Sequence, residues 1–242
     1  VGRKIGSFED YKNDINAING SDLILGIDIK LQEKAEELLA GKRGSVVAID
    51  PRNGDVIILA SKPDFDPREF SGKIPPGLYS SLANDETSPL LHRSVMSQYP
   101  PGSTWKMLVA IAAMNEGIID EKSLVHSAGS FYYGGRNFGD HAGAGSFDVV
   151  RAIQTSSNVF FYKMGLKIGY ENLEKYGNMF HFGRTTGIDL PNEKPGRLPT
   201  REWLKKLYGK NGDTEGRLVN YGIGQGEIMV TPLQMAAYTA AI

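Results

Sequence analysis

The sequence predicts an α+β domain, and three observations carry that reading. Two β-rich runs, Ser45-Val46-Val47-Ala48-Ile49 and Val56-Ile57-Ile58-Leu59-Ala60, flank Asp50-Pro51-Arg52-Asn53-Gly54-Asp55. The Asn-Gly pair accepts the positive φ of a tight turn, so the segment reads as a β-hairpin. Ser103 to Glu116 is apolar on nearly every side, the pattern of a buried helix, and Gly117 stops it. Thr231 offers a capping hydroxyl, with Pro232 at the first position of a last helix.

The remaining elements follow in order. Residues 1–22 are polar and read as a linker or the remnant of a preceding domain; residues 23–242 read as the folded domain. Leu23 to Ile29 alternates loosely, as a short strand does. Gln32 to Leu39 places Ala35, Leu38 and Leu39 at helical spacing before the stop at Gly41. Residues 62–102 are rich in Pro, Ser, Asp and Asn and read as a long loop, a feature often functional in a compact domain. Residues 127–145 are rich in glycine and aromatics and read as irregular. Ser146 is expected to cap a helix through Asp148 to Gln154. The chain breaks at Thr155-Ser156-Ser157-Asn158, then resumes as helix over Val159 to Ile168 and again over 170–182. Leu190 to Pro199 is a loop, Glu202 to Tyr208 a short helix, and 209–227 a Gly-rich connection.

Composition excludes several functions. Lys plus Arg number 27 against 28 for Asp plus Glu, so the charge carries no footprint for nucleic acid or for a polybasic membrane patch. There is no cysteine, which removes disulfides, a thiol nucleophile and thiolate metal sites. The longest apolar run, Met107 to Met114, is far too short to span a bilayer. The chain begins Val1-Gly2-Arg3-Lys4 without Met and is expected to be part of something longer.

Two short patterns could carry chemistry. In Ser103-Thr104-Trp105-Lys106, residues three apart share a helix face, which sets the amine beside the hydroxyl. Serine needs a base, and lysine serves only if its pKa falls well below about 10.4. The apolar neighbours Trp105, Met107, Leu108, Val109 and Ile111 push it down, and the positive end of the helix favours a neutral Lys106. A bare Ser-x-x-Lys arises about once by chance in a chain of this size, where it is a routine cap beside an exposed lysine. The second pattern is Ser156-Ser157-Asn158, in the polar break between helices. Its hydroxyl and carboxamide can relay a proton and hold an amide; alone it is also an ordinary turn. Serine β-lactamases and penicillin-binding proteins carry Ser-x-x-Lys, then Ser-x-Asn, then Lys-Thr-Gly.

The wording around these patterns is far more selective. Gly44-Ser45-Val46-Val47-Ala48-Ile49-Asp50-Pro51, Lys62-Pro63-Asp64-Phe65-Asp66-Pro67, Tyr99-Pro100-Pro101-Gly102-Ser103-Thr104-Trp105-Lys106, Gln154-Thr155-Ser156-Ser157-Asn158-Val159-Phe160-Phe161-Tyr162, and Gly222-Ile223-Gly224-Gln225-Gly226 with Val230-Thr231-Pro232-Leu233-Gln234-Met235-Ala236 follow one another along most of residues 23–242. In these segments the chain resembles the class B penicillin-binding proteins of the cell-elongation type, penicillin-binding protein 2. The resemblance implies the penicillin-binding transpeptidase or β-lactamase-like fold, an antiparallel sheet packed between helices. It implies a peptidoglycan D,D-transpeptidase working through a serine acyl-enzyme. Ser103 would attack the D-Ala-D-Ala amide of a stem peptide, Lys106 would be its base, Ser156 would shuttle protons, and Asn158 would bind the substrate amide. The implied partners are peptidoglycan stem peptides, β-lactam antibiotics and, in a membrane-anchored parent at the periplasmic face of the inner membrane, other cell-elongation proteins. No cofactor and no metal are expected. Some relatives bind zinc nearby through Asp, His and Cys, but here Asp140-His141 is a lone pair without a cysteine.

The chain lacks the family's third motif: no Lys-Thr-Gly or Lys-Ser-Gly occurs in it. The family carries that motif on a strand after the helix in which this sequence stops, so the domain is expected to be truncated, with its C-terminal strands missing. Two alternatives stay open: a serine β-lactamase or β-lactam sensor, and a catalytically incompetent domain with a scaffold role. His92, His126 and His181 read as ordinary surface or core residues, Gly224-x-Gly226 lacks a dinucleotide context, and Phe131-Tyr132-Tyr133 reads as packing.

Overall fold

A computed structural model describes residues 18, 20–71 and 73–242; most of the linker expected over residues 1–22 lies outside the described residues. Leu23 to Ile29 is not a strand. The chain runs irregularly to Asp28, whose carboxylate accepts from the backbone N–H of Lys30 (3.0 Å) and Leu31 (3.1 Å) and so starts helix α1, Ile29–Leu39. Capping chemistry overrides the weak alternation there. Strands β1 (Gly44–Ile49) and β2 (Val56–Lys62) pair antiparallel, as the hairpin signal predicts, and α1 packs on them through Ala35 and Leu39 against Ala60.

The expected loop 62–102 is more ordered than its composition suggests. It contains a 3-10 turn at Pro67–Phe70 and two short helices, α2 (Leu78–Ala83) and α3 (Arg93–Met96). The buried Arg93 explains the order. Its guanidinium donates to the carbonyls of Pro63, Thr87, Ser88 and Leu91, so one side chain satisfies four carbonyls that no helix or sheet would. Ser94 Oγ donates to Ala60 O at 3.0 Å and pins α3 to β2.

The 3-10 turn Gly102–Trp105 runs directly into helix α4, Lys106–Asn115, and the next residues to Gly117 close it. Leu108, Val109, Ala112 and Ala113 are buried in the centre of the main core, with Trp105, Phe160, Phe161, Tyr170, Tyr221 and Tyr238 around them. Residues 127–145 are not irregular. Strands β3 (Val125–Tyr133) and β4 (Arg136–Phe147) form a second antiparallel hairpin, turning at Gly134-Gly135, both in the left-handed region. Glycines at 129, 139, 143 and 145 hide the alternation that marks a strand in sequence, and the register shifts between Ala128 and Ser130. Phe131 and Tyr133 stack (5.8 Å), and Phe131 covers Tyr162 (6.3 Å), while Tyr132 is exposed.

Asp148, not Ser146, caps helix α5 (Val149–Gln154) by accepting from Arg151 N at 2.7 Å; Ser146 is still in β4. After the break at 155–157, α6 (Asn158–Met179) is interrupted at Gly169, whose φ is +69°, where the sequence divides it into two helical segments. Helix α7 is Arg201–Tyr208, and the Gly-rich stretch 209–227 hides a further helix, α8 (Glu215–Tyr221). Helix α9 (Pro232–Ala240) begins with the predicted Thr231 cap, completed by Gln234, whose side chain accepts from Thr231 N at 2.9 Å. It lies against β1. Among the described residues no helix is long and apolar enough to cross a membrane.

Helices α6 and α8 meet backbone to backbone. A Cβ built on Gly165 would stand 2.3 Å from Leu218 O and 2.9 Å from Gly222 Cα, so nothing larger than hydrogen fits. Gly165→Ala is expected to destabilise the fold by about 1–3 kcal/mol through overpacking. Chemical denaturation reads this directly, and an unchanged midpoint would contradict the close approach.

Candidate active site

The site begins with how Ser103 is presented. Gly102 adopts φ +59°, and its N–H donates to Gly224 O at 2.9 Å. Gly224 is itself left-handed; a Cβ there would stand 2.4 Å from Gly102 O and 2.6 Å from Trp105 Cβ. A pair of backbone bonds between Tyr99 and Val230, both 2.9 Å, closes the same junction. The Gly222–Gly226 segment is therefore a seat for the Ser103 turn. In a 3-10 turn residues i and i+3 eclipse, so Ser103 and Lys106 stack along one edge. Ser103 is exposed, while Lys106, one turn on, is 1% exposed. Trp105 holds the turn down from inside, packed on Phe182 at 4.8 Å.

The break at 155–157 supplies the other half. Ser156 has φ +55°, a left-handed conformation that costs a residue with a Cβ about 1–2 kcal/mol. That backbone turns both its carbonyl and its hydroxyl toward Lys106. The amine donates to Ser156 O (2.6 Å), Ser156 Oγ (2.9 Å) and Asn158 Oδ1 (2.7 Å), and Ser156 Oγ donates to Ser103 Oγ (3.0 Å). All four residues singled out from the sequence thus form one connected cluster. The hydrogen bonds that join Ser103 to Lys106 run through Ser156, a detail that Ser-x-x-Lys spacing does not contain. The ring of Phe161 faces the amine at 5.6 Å.

Burial lowers the Lys106 pKa to about 8, against the opposing pull of the Asp140 carboxylate. Near neutrality the amine is therefore within reach of its neutral form. When it loses a proton, its lone pair can accept from Ser156 Oγ–H, and Ser156 can then accept from Ser103 Oγ–H. The cluster can thus move a proton from Ser103 inward without displacing a heavy atom.

Two features escape a reading of the sequence. Asp140 is legible there only as half of an inadequate metal pair, yet its carboxylate reaches the first turn of α6. His141 Nδ1 stands 3.5 Å from Asn158 Nδ2, on the outer side of the carboxamide. A Gly-free strand pattern over 136–147 would have pointed to both. Among the described residues no three His, Cys, Asp or Glu side chains are gathered to hold a metal ion.

Residues 44–242 match the family model of the penicillin-binding protein transpeptidase domain. The chain belongs to this family. Among relatives of this transpeptidase domain, the peptidoglycan D,D-transpeptidase MrdA of Escherichia coli strain K12 is 39% identical over 224 residues, covering 90% of this chain and 35% of the relative. The chain therefore spans about a third of the length of the curated relative. In structure it resembles Pseudomonas aeruginosa PBP2 (TM-score 0.86, 36% identity, 92% of this chain and 51% of that one). It also resembles the PBP2 of a Helicobacter pylori PBP2–MreC complex (TM-score 0.83, 34% identity, 88% of this chain and 41% of that one). The mixed fold of this transpeptidase domain, helices around antiparallel hairpins, agrees with both.

The Lys106 amine is expected to titrate near pH 8 rather than above 10. Isotope-edited NMR of the lysine side chains measures this, and a value in the ordinary lysine range would mean that the amine is solvated.

Proposed function

We propose that the protein to which this domain belongs is a peptidoglycan D,D-transpeptidase, in which Ser103 is the acyl-accepting nucleophile and Lys106 its base. The observation that carries the reading is the buried amine linked to the exposed Ser103 through Ser156. The similarity to the peptidoglycan D,D-transpeptidase MrdA supports it. On this reading residues 23–242 form the transpeptidase domain, since α1 packs on the β1–β2 hairpin, and residues 1–22 link it to what precedes.

In the first step Ser103 Oγ attacks the carbonyl carbon of the penultimate D-Ala of a stem peptide. Its proton passes to neutral Lys106, through Ser156. The tetrahedral intermediate then expels D-alanine as the C–N bond breaks; the leaving nitrogen takes the proton back by way of Ser156. In the second step an amine from a neighbouring strand attacks the acyl carbon and gives a proton to the same relay; the ester C–O bond breaks, Ser103 Oγ takes that proton back, and the new amide is the cross-link. Asn158 holds the substrate amide with the Nδ2 that Lys106 leaves free, since Lys106 occupies its Oδ1. β-Lactams present the same carbonyl in a strained ring and acylate Ser103. The reading places the protein at the periplasmic face of the bacterial inner membrane, among cell-elongation proteins, and the MreC complex of the Helicobacter pylori relative supports that company.

Fluorescent penicillin should label the full-length protein stoichiometrically, and Ser103→Ala should abolish the label; a label that persists in that variant overturns the assignment. Rapid release of the label would instead identify a β-lactamase. Lys106→Arg keeps the charge and loses the base, and should slow acylation about 10²–10⁴-fold. In the wild type the acylation rate should rise with pH through about 8 as Lys106 becomes neutral, and a rate flat across that range would exclude Lys106 as base.

A further inference from the structure

We infer that Asp140, on strand β4, is a positioning residue for the acylation site: its carboxylate holds the Ser156–Asn158 turn in the conformation that grips Lys106. This rests on the proposed roles of Ser103, Lys106 and Ser156. Four donors converge on the one carboxylate. Oδ1 accepts from Asn158 N (2.9 Å) and Ala142 N (3.1 Å); Oδ2 accepts from Ser157 Oγ (2.6 Å) and Val159 N (2.9 Å). Three of these donors belong to the turn and to the first residues of α6, 17 to 19 positions away in the chain. Backbone N–H groups at a helix start have no partner within the helix, and a carboxylate there is favoured by the helix dipole as well.

The connection to chemistry is steric. Ser156 occupies a left-handed conformation that survives only where its surroundings over-determine it. Asp140 fixes the next three residues, Ser157, Asn158 and Val159, by direct hydrogen bonds. The directions of Ser156 O, Ser156 Oγ and Asn158 Oδ1 follow, and these are the three acceptors of the Lys106 amine. Ser157, buried between, accepts from Phe160 N (3.3 Å) while donating to Asp140, so its hydroxyl is committed to the clamp.

Asp140 also acts on Lys106 by charge, raising its pKa against burial. Burial pushes the Asp140 carboxyl up, but Ser157 Oγ–H and the N–H groups of Val159, Asn158 and Ala142 outweigh it and hold the carboxyl below its usual range, ionised at neutral pH. The other charged or titratable side chains on β4, on α5, in the first two turns of α6 and on α8 are Arg136 and His141, Arg151, Tyr162 and Lys163, and Glu215, Arg217 and Tyr221. Arg151 lies over the Phe147 ring, Lys163 donates to His126 O, Tyr162 packs on Phe138, Glu215 meets Tyr133, and Arg217 pairs with Glu227. Arg136 lies at the hairpin tip, and His141 faces Asn158 rather than the amine.

The test is acylation of the full-length protein by fluorescent penicillin, followed against pH. Asp140→Asn replaces one acceptor oxygen with a donor that faces N–H groups. It should slow acylation at the plateau at least about tenfold, the effect of losing a hydrogen bond to a charged group. Because the negative charge is gone, Lys106 should lose its proton more readily, and the acid limb of the profile should move to lower pH. Ser157→Ala removes one bond to the carboxylate, keeps the charge, and should slow acylation about three- to tenfold with no downward move of the limb. Wild-type rates in both variants overturn the inference. So does an Asp140→Asn limb displaced upward, toward the ordinary lysine range, which would report a merely loosened fold. If Asp140→Asn does not fold, Ser157→Ala decides: a wild-type rate refutes the clamp and a slowed one upholds it. Ser103→Ala, run alongside, tests the nucleophile separately, since label persisting there would sink the proposed roles whatever Asp140 does.

Discussion

Everything at this site depends on keeping one amine out of water while giving it three oxygens to hold. Lys106 lies in the wall of the main core with Phe161 over it, where an unpartnered ammonium would be prohibitive. The oxygens of Ser156 and Asn158 make the position tolerable, and burial weakens the amine as a base until it can let its proton go near neutral pH. The same burial sets the distribution of exposure: the hydroxyl that meets a substrate is at the surface, and the group that takes its proton is beneath it.

Two segments distant in sequence make that arrangement. The Gly222–Gly226 stretch seats the turn that bears Ser103, because only glycine allows Gly224 and Gly102 to approach so closely in left-handed backbone. The β3–β4 hairpin approaches from the other side and brings Asp140 to the start of α6. The Ser-x-x-Lys turn and the Ser-x-Asn turn are thus each held by an outside element, and neither geometry is a property of its own few residues.

Legibility in the sequence followed the same division. The β1–β2 hairpin, the apolar helix after Ser103 and the Thr231 cap were readable because each rests on local pattern, whereas the grouping of Ser103 and Lys106 with Ser156 and Asn158, about 50 residues on, was readable only through the family resemblance. The second hairpin was not, since Gly129 in β3 and three glycines in β4 erase the alternation and leave no periodic signal. With it went Asp140, whose role exists only in contact with residues 157–159. The order within 62–102 was hidden for a related reason: it comes from one buried arginine collecting carbonyls, which no composition reveals. Helix α8 was lost among neighbouring glycines, of which Gly212 and Gly222 are there for close packing against Leu204 O and Phe161 O.

The meeting of Gly165 with Gly222 has a consequence beyond packing. Helix α6 carries Asn158 at one end, and Gly222 opens the stretch on which the Ser103 turn rests, so their side-chain-free contact fastens both halves of the proton relay to a single stiff frame. There is no soft side chain between them to absorb a shift. A displacement of α8 is therefore transmitted to the alignment of hydroxyl and amine, and the tolerance of the relay is set by a crossing that touches none of its atoms.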